Sequence, residues 1–299
     1  MPFDAVDDPP EALAGLPTFH HPRIAPDGER IAVYYDESGR NELHLLDPAT
    51  GDRRRVTDGS VPRNARWPVA WAGPDEVLFH DDEAGDEQNA LHVVALPDGR
   101  TRPLVEMDGQ IALQAVSDDG RTLLFGASRD GQMDLYRHDR GDDGDGTTTK
   151  LTDYDRATLA AVRSPTGDRI AFATNETDAV ENLDVYVAAA DGSDPRRLDV
   201  GRVGAEATPA DFGPDGRRLL VADNATDTGR SGIVDLDTGS VRWYEAEPEE
   251  TPVAFLGDGD RFVAHRTEAA TVRPVVYVAA GEVTVSDGTR PQLADDRLL

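Results

Sequence analysis

The chain has no cysteine, and only one of its 30 basic residues is a lysine, Lys150. Without cysteine there are no disulfides, no thiolate nucleophile and no thiolate metal ligand. No apolar stretch approaches the ~18 residues needed to cross a bilayer. Aromatic residues make up 6% of the 299 positions. The N-terminus, Met1-Pro2-Phe3-Asp4-Ala5-Val6-Asp7-Asp8, has neither the basic start nor the apolar core of a signal peptide. The expectation is a soluble cytoplasmic protein.

Positive charge is also scarce. There are 58 acidic residues against 30 basic ones, for a net charge of −28. The acids are spread between apolar segments rather than gathered in a tail, which argues against disorder. At molar salt the Debye length is about 3 Å, so repulsion among surface carboxylates is screened. In dilute buffer the same charge would strain the compact state. Low lysine and high acid together point to a halophilic surface, in preference to an acidic face for one basic partner. Nucleic acid is excluded as a partner, because phosphate binding needs clustered Lys and Arg clear of acids. The densest basic run, Arg53-Arg54-Arg55, is flanked by Asp52 and Asp58 and reads as a solvated edge strand.

What is present is a phrase that returns six times. It reads Ala25-Pro26-Asp27-Gly28-Glu29-Arg30-Ile31-Ala32-Val33 at its first occurrence and Gly213-Pro214-Asp215-Gly216-Arg217-Arg218-Leu219-Leu220-Val221 at its fifth. Measured at Asp27, the steps to Asp75, Asp119, Thr166, Asp215 and Asp258 are 48, 44, 47, 49 and 43 residues. A period in the forties with strand-like content is the mark of a propeller blade. Within the fourth copy, Leu159–Arg163 reads as a strand. Ser164-Pro165-Thr166-Gly167 reads as a turn, with Pro setting φ and Gly accepting a positive φ. Arg169–Ala173 returns as a second strand, apolar on both faces. Leu183–Val187 alternates as a third, and Arg196-Arg197-Leu198 opens the outer strand. The fold expected is therefore all-β: a six-bladed β-propeller, with seven blades as the alternative and four antiparallel strands per blade. The expected boundaries are an extended arm over 1–18, the propeller over 19–287 and a polar tail over 288–299. The sixth blade is completed by the hairpin of Ala279–Val285. The Asp of the phrase reads as a turn former with no catalytic duty.

The repeat resembles that of TolB-like proteins and of the N-terminal propeller of prolyl oligopeptidase family serine peptidases. The residues that carry the likeness are Ser164-Pro165-Thr166-Gly167-Asp168-Arg169-Ile170-Ala171-Phe172. The outer-strand endings Arg55-Val56-Thr57-Asp58 and Lys150-Leu151-Thr152-Asp153 carry it too. In those peptidases the propeller restricts entry to a following α/β-hydrolase domain. No Gly-x-Ser-x-Gly elbow occurs in this sequence; Gly229-Arg230-Ser231-Gly232 lacks the spacing. No catalytic residue can be carried over. The likeness implies a non-catalytic, gating or peptide-binding propeller, with a peptide, a protein or a hydrolase domain as partner. The alternative is a stand-alone TolB-like interaction scaffold.

Other candidates weigh less. His20, His21, His44, His80, His92, His138 and His265 match no compact ligand set, and His44 and His92 fall at equivalent third-strand positions. The stretch Asp139–Gly146 fails the EF-hand pattern, since Asp139 as position one puts Lys150 at position twelve. The runs Asp81–Glu83 and Glu245–Glu250 read as loop surface. Trp71 sits in the first-strand slot before a turn and reads as core, while Trp67 and Trp243 could stack on a ligand. No phosphate loop is present. Neither a metal nor a cofactor is expected.

Overall fold

The computed structural model describes residues 15–63, 66–82, 88–141, 146–244 and 248–279. All regular structure in these residues is β, and it forms six antiparallel sheets. The first contains β1 (Phe19–Ile24), β2 (Ile31–Tyr35), β3 (Glu42–Leu46) and β4 (Arg53–Arg55); the second contains β5 (Ala70–Trp71), β6 (Glu76–Asp82), β7 (Asn89–Ala95) and β8 (Thr101–Val105). The third holds β9 (Ile111–Val116), β10 (Thr122–Ala127), β11 (Asp134–Arg140) and β12 (Gly146–Lys150). The fourth holds β13 (Leu159–Arg163), β14 (Arg169–Thr174), β15 (Asp184–Ala189) and β16 (Arg196–Arg197). The fifth holds β17 (Ala207–Phe212), β18 (Arg218–Asp223), β19 (Arg230–Asp235) and β20 (Val241–Tyr244). The sixth holds β21 (Glu249–Leu256), β22 (Arg261–Glu268) and β23 (Thr271–Val278). Strands follow chain order in every sheet. The fold is the six-bladed β-propeller that the repeat predicts. The expected hairpin over 279–285 and the expected tail lie outside the described residues, as do residues 1–14 of the expected arm.

The chain divides into two compact units. One contains the first two sheets, to Ile111, with Asp118–Gly120; the other contains the rest of the third sheet and sheets four to six. In the first unit, Tyr34, Leu43 and Leu45 share a core with Trp71, Val77, Phe79 and Val94. In the second, Ala171, Val185 and Val187 pack with Leu219, Val221 and Val234, and Leu220 and Ile233 pack with Phe262 and Tyr277. Within each unit, adjacent sheets thus pack face to face. This explains the second strands β14 and β18, whose runs of buried residues face a neighbouring sheet on both sides, while β2, β6 and β10 carry the same runs of buried residues. Each fully buried Phe among them (Phe79, Phe125 and Phe172) contributes roughly 1.5–3 kcal/mol by leaving water.

The repeated phrase is a turn between the first two strands of a sheet. Gly28 N–H donates to Ala25 C=O at 2.9 Å, and Gly216 N–H donates to Gly213 C=O at 2.8 Å. The glycines take φ of +74° and +65°, which costs a side-chain-bearing residue free energy. The Asp caps its own turn: Asp27, Asp215 and Asp258 each accept the N–H two residues on, at 2.9, 2.9 and 3.1 Å. It also has a second task. Asp27 and Asp215 hold Arg30 and Arg218 at 2.8 and 3.1 Å, and each arginine reaches into the following sheet's turn. Arg30 donates to Pro74 C=O at 2.7 Å, and Arg218 donates to Gly259 C=O at 2.9 Å. Their guanidinium groups lie over Trp71 and Phe255, 5.2 and 5.4 Å from the ring centres. The Glu29 N–H, then the Arg30 guanidinium, hold the Asp27 carboxyl below the usual range.

Candidate functional site

The opposite ends of the blades carry the second-to-third strand loops and the links to the next sheet. A buried polar residue heads the third strand there and fixes the link. Glu42 is 1% exposed and accepts Gly59 N–H at 2.8 Å and the Thr57 hydroxyl at 2.7 Å. That Thr57 oxygen in turn accepts Leu43 N–H at 2.9 Å. In the third sheet Thr152 repeats the arrangement: it accepts Leu135 N–H at 2.9 Å and donates to Asp134 at 3.4 Å. Lys150, the one lysine, lies 3.1, 3.0 and 3.0 Å from Asp130, Asp134 and Asp153. These carboxylates are tied into structure, so they are poor candidates for acid–base chemistry. Asp211 is the clearest test of that point, since burial pushes its carboxyl up. It accepts Phe255 N–H at 2.8 Å and joins β17 to β21.

At this end of the first sheet lies a cavity of about 480 Å³, bounded by the entry to β1, the 36–41 loop and the link after β4. Its walls include His20, Asp36, Glu37, Arg40, Asn41 and Arg63. His20 precedes an irregularity in the β1–β2 pairing, next to His21 with φ of +52°. The acids and Arg40 are engaged. Asp36 accepts Thr18 N–H at 2.6 Å, and Glu37 pairs with Arg53 at 2.6 Å. Arg40 donates to Val61 C=O and lies 3.1 Å from Glu42. Asn41 is 5% exposed and donates to Arg63 C=O at 2.5 Å. Among the described residues, neither the His20 ring nor the Arg63 guanidinium has a hydrogen-bond or ion-pair partner. The lining therefore holds two unpartnered side chains that can donate, one of them permanently cationic, and one unpartnered buried acceptor, Asn41 Oδ1.

Of the residues singled out in the sequence, only His20 reaches this cavity. His44 and His92 pair opposite Val33 and Phe79, one core slot in two successive sheets, and Tyr136 and Tyr186 fill the same slot opposite Phe125 and Phe172. Burial pulls the His44 and His138 rings below their usual range and His80 down to about 3. His265 lies in β22 opposite Pro274. Among the described residues no three His, Asp or Glu side chains converge as a metal site. Trp71 is 7% exposed and donates its indole N–H to Arg23 C=O at 2.8 Å. Trp67 stacks on the buried His80, and Trp243 lies beneath Arg230 at 4.0 Å. Arg53–Arg55 form an exposed outer strand, as expected. Residues 142–145, Glu83 and 245–247 lie outside the described residues. Sequence reasoning missed Arg40, Asn41 and Arg63. The only signal was the polar run Asp36-Glu37-Ser38-Gly39-Arg40-Asn41 between two strands.

The fold is a β-propeller similar in architecture to those of TolB and of prolyl oligopeptidase-type peptidases. In solved structures the chain is similar to a puromycin-hydrolyzing peptidase of Mycobacterium tuberculosis (TM-score 0.67, 20% identity), with 89% of this chain matching 44% of that one. It is also similar to TolB of Acinetobacter baumannii (TM-score 0.57, 19% identity), with 77% of this chain matching 55% of that one. At these identities the likeness is one of fold. Among curated proteins, an uncharacterized protein of Agrobacterium fabrum is 28% identical over 173 residues, 56% of each chain. The match thus spans just over half the length of that relative. No protein-family model matches the chain. No helix among the described residues is long and apolar enough to cross a membrane.

Proposed function

We infer that this chain is a non-catalytic propeller that binds a peptide or protein segment. In that role it resembles the domain that gates substrate in prolyl oligopeptidase family peptidases. The observation that carries the reading is the cavity on the first sheet. It has donors open to a ligand, while the carboxylates around it, Asp36, Glu37 and Glu42, are held by backbone N–H groups, a hydroxyl and arginines. A hydrolytic site would need a nucleophile, a base and an oxyanion donor in mutual reach. Neither the sequence motifs nor the shifted titratable groups supply such a set. A hydrolase domain is the natural partner for a gating propeller, and the cytoplasm is its proposed location.

The test is an array of short peptides probed with the folded protein in molar KCl, alongside aminoacyl-nitroanilides as reporters of turnover. Binding without turnover is the expected result. Turnover that a serine-reactive fluorophosphonate abolishes would overturn it. The likeness to TolB favours a second reading, a scaffold for a folded protein partner. In that case short peptides would fail to bind, while a partner captured by the native protein would survive competition from them.

A further inference from the structure

The charged lining of the cavity, Asp36 and Glu37 against Arg40 and Arg63, is balanced, in contrast with the acidic excess of the whole chain. The molecule carries −28, yet among the described residues the lining has two unpartnered side chains able to donate, His20 and Arg63, beside one unpartnered buried acceptor, Asn41 Oδ1. Each acid on its wall already has a counter-group: Thr18 N–H for Asp36, and Arg53 for Glu37. Arg40 is held by Glu42 and Val61 C=O, so it acts as wall. Asn41 uses its amide to pin the Arg63 backbone, which fixes where that side chain begins. This leaves the Arg63 guanidinium, a planar fork that matches a carboxylate, and the His20 ring, which carries at least one N–H in either protonation state.

We propose that this cavity takes the free carboxylate of a peptide C-terminus, with Arg63 as its counter-ion and His20 as a hydrogen-bond donor. The proposal rests on the peptide-binding reading and narrows it to one end of the peptide. A cavity of about 480 Å³ has the size of a small-ligand site, enough for a terminal residue or two but not a folded partner. Long-range repulsion from the acidic surface does not forbid it. At the molar salt such a surface suits, fields die within about 3 Å and contact chemistry decides. An Arg–carboxylate pair survives there better than a distant charge would, because it also contributes directional hydrogen bonds.

The experiment uses one fluorescein-labelled hexapeptide of Gly, Ser and Leu in two forms, C-terminal acid and C-terminal carboxamide. Both are titrated with the full chain by fluorescence anisotropy. The acid should bind at least about tenfold more tightly. Arg63→Gln should remove that factor for the acid and leave the carboxamide unchanged. Arg63→Lys should retain part of it. Arg63 is exposed, so folding should be preserved, and equal melting temperatures will show this. If both forms bind wild type equally, the carboxylate proposal falls and the peptide-binding reading stands. It falls likewise if Arg63→Gln weakens both forms by the same factor. If neither form binds at any accessible concentration, both fall together.

Discussion

Replacing Tyr277 by phenylalanine removes a single oxygen from the sixth sheet, and its cost can be worked out from the contacts. The Tyr277 hydroxyl lies 2.8 Å from each oxygen of Glu250, and the two residues are 2% and 1% exposed. Arg266 completes the cluster, donating to Glu250 at 2.7 Å and to the tyrosine oxygen at 3.0 Å. The cluster ties β21, β22 and β23 together. The ring itself packs on Phe262 and Tyr244, and a phenylalanine keeps both contacts. What is lost is donation to an ionised carboxylate, so about 2 kcal/mol is expected, within the range for hydrogen bonds to charged groups. Urea unfolding at pH 7 in molar KCl should show a lower midpoint with unchanged slope. Alkali adds a second reading. Burial, then the Glu250 hydrogen bond, pushes the Tyr277 phenol up to about 12, from 10.0 ordinarily. A folded-state pKa above the unfolded one gives stability that is whole below pH 10 and lost as pH rises toward 12. The gap between wild type and Tyr277→Phe should therefore narrow across that window. A change below about 0.5 kcal/mol at pH 7, or a gap unaltered up to pH 12, would refute the account.

Three further outcomes are expected. Because burial holds His80 near 3, the unfolded state takes up a proton first as pH falls below 6.5, and stability drops from there. His80→Phe should keep the stack on Trp67 and move the acid-unfolding midpoint to lower pH, followed by fluorescence. Gly192 and Gly239 both take left-handed φ, +82° and +75°, but only at Gly192 would a Cβ meet backbone, 2.4 Å from Leu151 O. Gly239→Ala should cost about 1 kcal/mol and Gly192→Ala clearly more by chemical denaturation; equal costs would deny the close approach. Raising KCl from dilute to molar should raise the melting temperature by many degrees, as screening of the −28 surface requires, and a salt-indifferent melt would remove the halophilic reading.

The turn phrase and the strands beside it were legible because their causes are local. Pro26, Asp27 and Gly28 specify a turn within four residues, and Ile31–Val33 shows its two-sided burial in its own composition. The slot shared by His44 and His92 was legible because two copies carry the same residue. Interactions across long separations were not. Thr57 and Glu42 are 15 residues apart, and nothing in either marks the hydroxyl as the joint between a strand and a link. Arg30 meets Pro74 across 44 residues. The cavity was least legible of all: its walls come from a strand entry, a loop and a link, and the openness of Arg63 depends on which acids the other arginines have already taken.

The arginines that leave the first and fifth turns for the next have a consequence for how such a chain can vary. Arg30 and Arg218 stand at the same place in their copies, while their acceptors, Pro74 and Gly259, lie one residue before Asp75 and one residue after Asp258. Where the arginine is present the joint is head-to-tail rather than self-matching, and the second and third copies carry Glu76 and Thr122 in its place. Mutations in one joint can then drift, as Thr166 has from the usual Asp, without obliging the others to follow.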